Sequence, residues 1–376
     1  MTVDIIGAGI GGLTTAIALE QKGIKTRIFE QAEQIKPVGA GITLASNAMQ
    51  VYEKLGLRNA IEEKGNRISS LNITKKNLNS LTRVDLSYFE KKHKVRNIAI
   101  HRGALQQLLV NKLASSEIRL NHHLDTIEKN GEGYLLTFTN DEQIQSSMVI
   151  AADGINSIVR QQLFPNNEIR NAKQTCWRGV TTFSLPEKYR NELNEAWNKT
   201  DRFGFVQIAE NQVYWYALKS FIKDKNEFDG SDIIAYYQTY NPIVNELIVS
   251  TSKEQINVAE MLDLKPTDTW FTENLCLIGD AAHATTPNMG QGACQAIEDA
   301  YVLAECMSKY DRSSALEAFQ KIRLPKAHQV VKASWMIGKI AHVSNPILII
   351  LRNFFMRLTA SFGKKQTEKI FQIPNV

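Results

Sequence analysis

The sequence contains few cysteines, and their positions argue against two common kinds of site. Cys176, Cys276, Cys294 and Cys306 are the four cysteines among 376 residues, and their spacing matches no metal-binding pattern. Three of them lie in apolar strand or helix patterns, where a reduced, buried thiol is the usual state. We therefore expect neither disulfide bonds nor a bound metal.

The sequence also lacks targeting and nucleic-acid-binding features. Met1 leads almost at once into the first predicted strand, without a charged leader and apolar core, so we expect a cytoplasmic protein. The net charge of +5 is modest for this length and is not gathered into a basic patch studded with aromatic residues. This pattern argues against nucleic acid as a partner and leaves anionic small molecules open.

An apolar run near the carboxyl end is too short to cross a membrane. It covers residues 346–351 and is followed by Phe354 and Phe355, whereas a spanning helix needs roughly 20 apolar residues. A helix packed on the rest of the protein is the preferred interpretation. A helix lying on a membrane surface is the alternative, because basic residues flank the run: Arg352, Arg357, Lys364 and Lys365.

Two widely separated glycine-bearing segments are the most informative features. In the first, VDIIGAGIGG, an apolar strand runs into Gly7, Gly9 and Gly12 and then into a helix. Backbone N–H groups at such a turn, and the N-terminus of the helix, bind a pyrophosphate. Glu30 ends the second predicted strand, where its carboxylate can accept hydrogen bonds from a ribose hydroxyl. Alone, these residues do not distinguish NAD from FAD.

The second segment repeats the order of strand, glycine and helix far downstream. An apolar strand at residues 275–278 ends in Gly279 and Asp280, and a loop with Pro287, Gly290 and Gly292 opens a long helix. The two segments can therefore hold opposite ends of one dinucleotide.

Shorter signals lie between these segments. Gly41 would let the backbone approach a ligand closely. Arg102 is placed at a helix start, where its guanidinium can reach a phosphate. The buried strand in MVIAADG ends in Asp153 and Gly154, and Arg160 follows in the next helix. Asp153 is also typical of a plain helix cap.

The segment of residues 175–264 predicts an antiparallel sheet that could cover the cofactor. Its short strands lie near residues 177–183, 203–208 and 212–219. Tyr214 and Tyr216 would share one face of the sheet and Trp215 the other. One of these faces can line a pocket, although packing of all three aromatic side chains is an equally good interpretation.

Together these segments resemble the FAD-dependent aromatic hydroxylases. These single-component flavin monooxygenases include para-hydroxybenzoate and salicylate hydroxylases, urate hydroxylase, zeaxanthin epoxidase and the tetracycline-inactivating monooxygenases. The resemblance covers nearly the whole chain and rests on three motifs in the same order: GAGIGG with Glu30, AADGINSIVR, and GDAAHATTPNMGQGACQAIEDA. It implies an enzyme with FAD as cofactor. A single strand-linked glycine motif favours NADH or NADPH as a transient co-substrate.

The resemblance also implies roles for individual positions. The first glycines and Glu30 would hold the ADP half of FAD, the backbone at Leu124 would meet the adenine, and the loop at residues 287–292 would lie against the isoalloxazine. With Gly41, the candidate cofactor-binding residues are Gly7, Gly9, Gly12, Glu30, Gly41, Arg102, Leu124, Asp153, Gly154, Arg160, Asp280, Pro287, Met289, Gly290 and Gly292.

For the substrate, the resemblance to the urate hydroxylase branch indicates two residues. Arg202 and Tyr214 fall at strand positions comparable to an arginine and a tyrosine that contact substrate there, although the surrounding sequence departs enough that urate itself is not implied. An exposed Arg202 and a core-packed Tyr214 are the alternatives. With Pro287, these are the candidate catalytic residues. His283 is interpreted as a local hydrogen-bonding residue rather than a general base.

The expected fold class is α/β: a Rossmann-like FAD-binding domain with a parallel sheet, interrupted by a mostly antiparallel β-sheet substrate domain, plus C-terminal helices. We place the domains as follows: FAD-binding at 1–70, 96–170 and 268–330, substrate at 71–95 and 171–267, and a C-terminal helical segment at 331–376.

The expected function is that of an NAD(P)H-dependent flavin monooxygenase. It would insert one oxygen atom from O2 into an aromatic or heteroaromatic small molecule through a flavin C4a-hydroperoxide. A flavin-dependent reductase or dehydrogenase on the same scaffold, and a catalytically silent flavoprotein, are the alternatives. The sequence leaves open the substrate, the choice between NADH and NADPH, and whether the protein is a monomer or a dimer.

Overall fold

The computed structural model describes residues 2–36, 39–164, 168–221, 233–358 and 360–376. The strands are β1 (Thr2–Ile6), β2 (Lys25–Phe29), β3 (Gly41–Leu44), β4 (Asn66–Arg67), β5 (Ser70–Lys75), β6 (Ser80–Asp85), β7 (Ile98–His101), β8 (Glu117–Arg119), β9 (Leu124–Asn130), β10 (Gly133–Phe138), β11 (Gln143–Ser146), β12 (Val149–Ala151), β13 (Ile169–Thr182), β14 (Glu192–Trp197), β15 (Asp201–Ala209), β16 (Gln212–Ser220), β17 (Asn257–Leu264), β18 (Phe271–Thr272) and β19 (Leu275–Leu277). The helices are α1 (Ile10–Glu20), α2 (Ser46–Lys54), α3 (Arg58–Lys64), α4 (Ser87–His93), α5 (Arg102–Lys112), α6 (Ile158–Leu163), α7 (Glu187–Arg190), α8 (Ile233–Tyr237), α9 (Pro242–Val249), α10 (Asp280–His283), α11 (Gly292–Lys309), α12 (Arg312–Ala341), α13 (Pro346–Leu358) and α14 (Ala360–Phe371).

A mainly parallel sheet forms the centre of the nucleotide-binding part. Its strand order is β18-β19-β12-β1-β2-β8, in which β18 runs antiparallel to β19 and the other pairs are parallel. Val3, Ile5 and Ile150 are fully buried in a core that includes residues of α1, α11 and the three-stranded sheet β11-β10-β9. Burial on both faces explains why these strands are nearly continuous apolar runs in the sequence.

The register of this sheet brings the sequence motifs together. Ile6 pairs with Ala151, and Ala151 pairs with Leu277, so β1, β12 and β19 end at the same level. The turns that follow them contain Gly7, Gly154 and Gly279, all with positive φ angles. Three motifs that are far apart in the sequence therefore lie side by side at the carboxyl edge of the sheet, where α/β proteins bind ligands.

A second, seven-stranded sheet has the order β17-β13-β16-β15-β14-β5-β6 and is antiparallel except for the β14–β5 pair. One face packs against α8 and α9 through a core that includes Trp177, Phe203, Trp215 and Leu247. Tyr214 and Tyr216 alternate with Trp215 along β16 and belong to apolar clusters on the other face, as the sequence predicts. That other face is turned toward the nucleotide-binding part, since β15 packs against β7.

A buried ionic network joins α10, α11 and α12. Arg323 is fully buried and donates from Nε to Asp299 Oδ1 at 2.8 Å and from Nη1 to Glu298 Oε2 at 2.8 Å. His283 Nε2 lies 2.6 Å from Asp299 Oδ2, which also accepts the Gly279 N–H at 2.9 Å. Burial by itself would raise the pKa of Asp299, but the charges of His283 and Arg323 outweigh it and hold that pKa well below its ordinary value.

The depressed pKa of Asp299 makes its contribution to stability dependent on pH. Asp299→Asn should lower the free energy of unfolding by about 3–5 kcal/mol at neutral pH, because buried Arg323 loses its charged partner. A carboxyl with a depressed folded pKa stabilises above its unfolded pKa of about 4, and this stabilisation is lost as the pH falls. The difference between wild type and variant should therefore shrink from about pH 5 to about pH 3, measured by denaturant unfolding.

The exposed carboxyl of Asp268 provides the matched control. Asp268→Asn should change the free energy of unfolding by less than about 0.5 kcal/mol across the same pH range. If the difference in free energy of unfolding between wild type and Asp299→Asn stayed constant from about pH 5 to about pH 3, the charge of Asp299 would not be what stabilises the protein.

Candidate active site

The candidate site is a crevice that begins at the carboxyl ends of β1, β12 and β19. Gly7 has a φ of +103°, and a Cβ there would lie 2.6 Å from the Ala152 carbonyl oxygen. A Cβ on Gly12 would lie 2.0 Å from the Gly7 carbonyl oxygen. Only glycine fits these two positions, so they shape the turn itself.

Gly9 differs from the other two glycines of the turn. It precedes α1 with an ordinary φ of −70°, and a Cβ there would meet nothing within 4 Å. Open space therefore lies in front of the N-terminus of α1, where the partial positive charge of the helix attracts an anion. A phosphate group fits this position.

Glu30 connects two of the strand ends. Its Oε2 accepts the Ala8 N–H at 2.8 Å and its Oε1 accepts the Ala32 N–H at 3.0 Å. The His122 N–H donates to the Glu30 carbonyl oxygen at 2.9 Å, which brings the segment leading to Leu124 beside it. Each carboxylate oxygen keeps a free lone pair that can accept a ribose hydroxyl.

Arg160 ties the turn after β12 to the turn after β19. Its side chain is 1% exposed and donates from Nη1 to the Ala281 carbonyl oxygen at 2.9 Å and from Nη2 to that of Ile155. Burial lowers the pKa of Arg160, and the charges of Asp153 and Asp280 oppose that shift. Arg160 therefore acts on the crevice by holding its walls together.

Two carboxyl groups border the crevice. Asp153 Oδ2 accepts the Val159 N–H at 3.3 Å, while its buried Oδ1 has no hydrogen-bond partner among the residues that the structure describes. The Asp280 side chain is exposed at the start of α10, although many protein atoms surround it. Burial raises the pKa of Asp280, and the nearby His283 and Arg102 oppose the rise. These acceptors suit a ligand that is rich in hydroxyl groups.

The loop before α11 forms the far wall of the crevice. Pro287–Met289 is a turn of 3-10 helix, Gly290 follows with a φ of +61°, and α11 starts at Gly292. A Cβ on Gly290 would lie 2.9 Å from Thr43 Oγ1, and one on Gly292 would lie 3.9 Å from Asp280 Oδ1. The N-terminus of α11 is thus placed beside Asp280, where its dipole can stabilise negative charge.

Asn288 anchors this loop to both neighbouring parts of the protein. Its Nδ2 donates to the Ser334 carbonyl oxygen at 2.8 Å and to Thr286 Oγ1 at 2.9 Å, and its Oδ1 accepts from Arg202 Nη2. A Cβ on Gly338 would lie 2.5 Å from Asn288 Nδ2, so α12 passes directly against the loop. The loop is held between α12 and the second sheet.

A buried polar group on the second sheet faces this loop. Arg202 is 1% exposed and donates from Nη1 to Glu195 Oε1 at 3.0 Å. The Tyr216 hydroxyl donates to Glu195 Oε2, and Trp197 Nε1 donates to Glu195 Oε1 at 2.6 Å. Arg202 Nε is buried and has no hydrogen-bond partner within the described part of the chain. One donor of the Arg202 guanidinium is therefore left without a partner inside the protein as the structure describes it.

Tyr214 lies on the same face but in different surroundings. Its ring centroid is 5.8 Å from that of Tyr216, and a Cβ on Gly41 would lie 2.4 Å from Tyr214 Cγ. Burial raises the pKa of Tyr214, and the charge of Arg178 opposes the rise. The structure thus brings Tyr216 rather than Tyr214 to the buried Arg202, and it brings Tyr214 to Gly41.

Glu195, and the contacts that Asn288 makes, are features of the site that the sequence did not reveal. A buried glutamate in a short strand has no local signature, and its strand, β14, was not predicted. Asn288 stands inside the predicted loop at residues 287–292, so its place in the crevice was available from the motif, but its bonds to α12 were not. His283 makes the local hydrogen bond expected of it, to Asp299.

Comparison with known proteins identifies the family. A family model described as "FAD binding domain" matches residues 1–334. The chain belongs to this family. It is 33% identical to the aurachin C monooxygenase/isomerase of Stigmatella aurantiaca, over 96% of this chain and 95% of that protein. It is 32% identical to the 2-heptyl-3-hydroxy-4(1H)-quinolone synthase of Pseudomonas aeruginosa, over 97% of this chain and 96% of that protein.

Solved structures confirm the fold class. A variant of Klebsiella pneumoniae HpxO complexed with FAD has a TM-score of 0.89 at 22% identity, with 100% of this chain and 99% of that chain covered. The tetracycline destructase Tet(51) has a TM-score of 0.72 at 16% identity, with 100% and 99% covered. The predicted family resemblance is confirmed as well: this FAD-dependent enzyme is a member of the monooxygenase and hydroxylase class, with FAD as its cofactor.

The two kinds of glycine in the first turn should respond differently to an added methyl group. Gly9→Ala should fold normally but lower the affinity for FAD by at least about tenfold, because the methyl group occupies the space in front of α1. Gly12→Ala should fail to fold, because the methyl group collides with the Gly7 carbonyl. Flavin fluorescence titration measures FAD affinity, and circular dichroism measures folding.

Gly131→Asn is the control, because this hairpin glycine has a φ of +61°, open surroundings and a position outside the crevice. Asparagine tolerates such a backbone conformation, so FAD affinity should stay at the wild-type value. Wild-type FAD affinity in Gly9→Ala would rule out a phosphate in front of α1.

Proposed function

We propose that this member of the family is an NAD(P)H-dependent monooxygenase that inserts one oxygen atom from O2 into an aromatic or heteroaromatic small molecule. FAD would supply the oxygen-activating chemistry, through a C4a-hydroperoxide, and the protein would supply position and exclusion of water. The observation that carries the proposal is the buried group of Arg202, Glu195 and Tyr216, which lies against the Pro287–Met289 turn.

The proposed FAD position runs along the crevice from the glycine turn to this loop. The pyrophosphate would occupy the open space at Gly9, and the ADP ribose would bind Glu30. The exposed carboxylate of Asp280 would offer acceptors for hydroxyl groups, and Asp153 is a further proposed contact. The further proposed contacts are Gly7, Gly12, Gly41, Arg102, Leu124, Gly154, Arg160, Pro287, Met289, Gly290 and Gly292.

The proposed substrate position lies between the loop and the second sheet. Glu195 neutralises Arg202, so a site beside this pair would not present a bare cation. Such a surface suits a neutral ring that carries N–H and carbonyl groups better than it suits a benzoate anion. The quinolone ring in the name of the Pseudomonas aeruginosa relative is of this kind. A heteroaromatic substrate is therefore favoured over a simple phenol.

Oxygen labelling separates monooxygenation from its alternatives. With the FAD-loaded protein, NADH or NADPH oxidation should be stimulated by 4-quinolones or related N-heteroaromatics, and the product formed under labelled O2 should gain one labelled atom. The rates with NADH and NADPH identify the preferred reductant. Turnover without label in the product would favour a reductase. If none of these compounds stimulated NADH or NADPH oxidation, a silent flavoprotein would be favoured.

A pair of tyrosine variants on β16 tests the substrate position. Tyr216→Phe removes the hydroxyl that donates to Glu195, so kcat/KM for the best substrate should fall roughly 10- to 100-fold while FAD content is unchanged. Tyr214→Phe is matched in strand, face and chemistry and should change kcat/KM by less than about threefold. The opposite order of the two effects would support Tyr214 as the substrate contact.

A further inference from the structure

Helix α13 turns its apolar side toward solvent. Ile347 and Ile350 are both 69% exposed, and Phe354 is 57% exposed. Three more large apolar residues on the same helix are about half exposed: Leu348, Leu351 and Phe355. Single exposed apolar residues are common on soluble proteins, but a contiguous set of this size marks an interaction surface.

The side of α13 that carries Arg352 is the side that packs on the protein. Arg352 is 7% exposed and donates from Nη1 to the Ala341 carbonyl oxygen at 2.8 Å and from Nη2 to that of Asn198 at 3.3 Å. Its guanidinium also lies 5.4 Å from the centre of the Trp197 ring. These contacts fix the rotation of the helix about its axis, so the apolar side is held outward.

The exposed apolar surface continues onto α12, at the corner where the two helices meet. Met336 is 52% exposed and Ile340 is 44% exposed, one helical turn apart on α12. Arg352 Nη1 lies 3.4 Å from the Ile340 carbonyl oxygen, which places the end of α12 directly beside α13. We call the exposed apolar residues of these two helices the C-terminal apolar surface.

The charge of the surrounding sequence is entirely positive. Between Glu317 and Glu368 there are nine lysines and arginines and no acidic residue. The whole chain has 44 basic and 39 acidic residues. Outside this stretch the chain therefore has 35 basic and 39 acidic residues and a net negative charge. The exposed basic residues of this stretch include Lys332, Lys339, Arg357 and Lys365.

The dimensions exclude insertion of α13 across a bilayer. Its 13 residues span about 20 Å, less than the roughly 30 Å of a hydrocarbon core. Within the described ranges, no helix is both long and apolar enough to span a membrane. A helix with one apolar side and basic neighbours lies in the plane of the membrane surface instead.

We propose that the C-terminal apolar surface docks on a membrane that contains anionic phospholipid. The apolar side chains of α13 would enter the boundary between headgroups and acyl chains, and the exposed basic residues would contact the negative headgroups. A second copy of the chain fits this surface less well, because a two-fold interface would place the same positive charges against each other. The proposal is independent of the proposed function.

Vesicle co-sedimentation with the full-length, FAD-loaded protein tests this docking. Vesicles of phosphatidylcholine with phosphatidylglycerol should retain the protein, vesicles of phosphatidylcholine alone should retain much less, and added salt should release it. The double variant Ile350→Ser with Phe354→Ser should lower the partition coefficient by at least about tenfold. Unchanged FAD absorbance and thermal midpoint would show that the variant is folded.

Val249 and Val258 supply the control, because they are 66% and 52% exposed and lie outside the C-terminal apolar surface. Their double serine variant should bind vesicles like wild type. Wild type that stays in the supernatant with both kinds of vesicle would overturn the proposal. A dimer in light scattering that the Ile350 and Phe354 variant abolishes, without vesicle binding by wild type, would assign the surface to a second copy instead.

Discussion

The carboxylate of Asp299 is the interaction on which the geometry of the crevice depends. It accepts the backbone N–H of Gly279, lies against His283 and is paired with buried Arg323, so one side chain joins the end of β19 to α10 and α12. An unpaired charge at this depth would be costly, and each partner is therefore needed to keep the others in place. The position of the glycine turn after β19 follows from that network.

Helix α12 connects this network in the nucleotide-binding part to the loop that contacts the second sheet. In its first half Arg323 bonds to α11. In its second half the Ser334 carbonyl accepts from Asn288 and Gly338 lies against that side chain, whose amide oxygen accepts from Arg202. The loop before α11 is therefore held by contacts with α12 and with the second sheet, which are far apart in the sequence. Packing of this kind is discrete and does not deform continuously, so the loop has a defined position before any ligand arrives.

The nucleotide-binding part was predictable because its signals are local. Each strand, glycine turn and helix start occupies about ten consecutive residues, and parallel pairing brings the turns to one edge of the sheet. The substrate position depends on the register between β14, β15 and β16, which no local pattern specifies. Tyr216 pairs with Gly204 and Tyr214 with Val206, so a shift of two residues decides which tyrosine meets Arg202 and Glu195.

The orientation of α13 was also not predictable from its sequence. Its periodicity separates an apolar side from the side of Arg352, but the bonds of Arg352 to distant carbonyl groups decide which side faces outward.

The buried pair of Arg202 and Glu195 is hard to explain by stability alone. Removing two charges from water costs about as much as their attraction returns, and apolar side chains of similar size would pack there at no such cost. The arrangement is also incomplete, since Arg202 Nε lacks a hydrogen-bond partner among the described residues. A buried donor without a partner destabilises the protein by itself, whereas a ligand with a matching acceptor would remove that cost on binding. This cost supports the proposal that the polar group under the loop contributes to a substrate site.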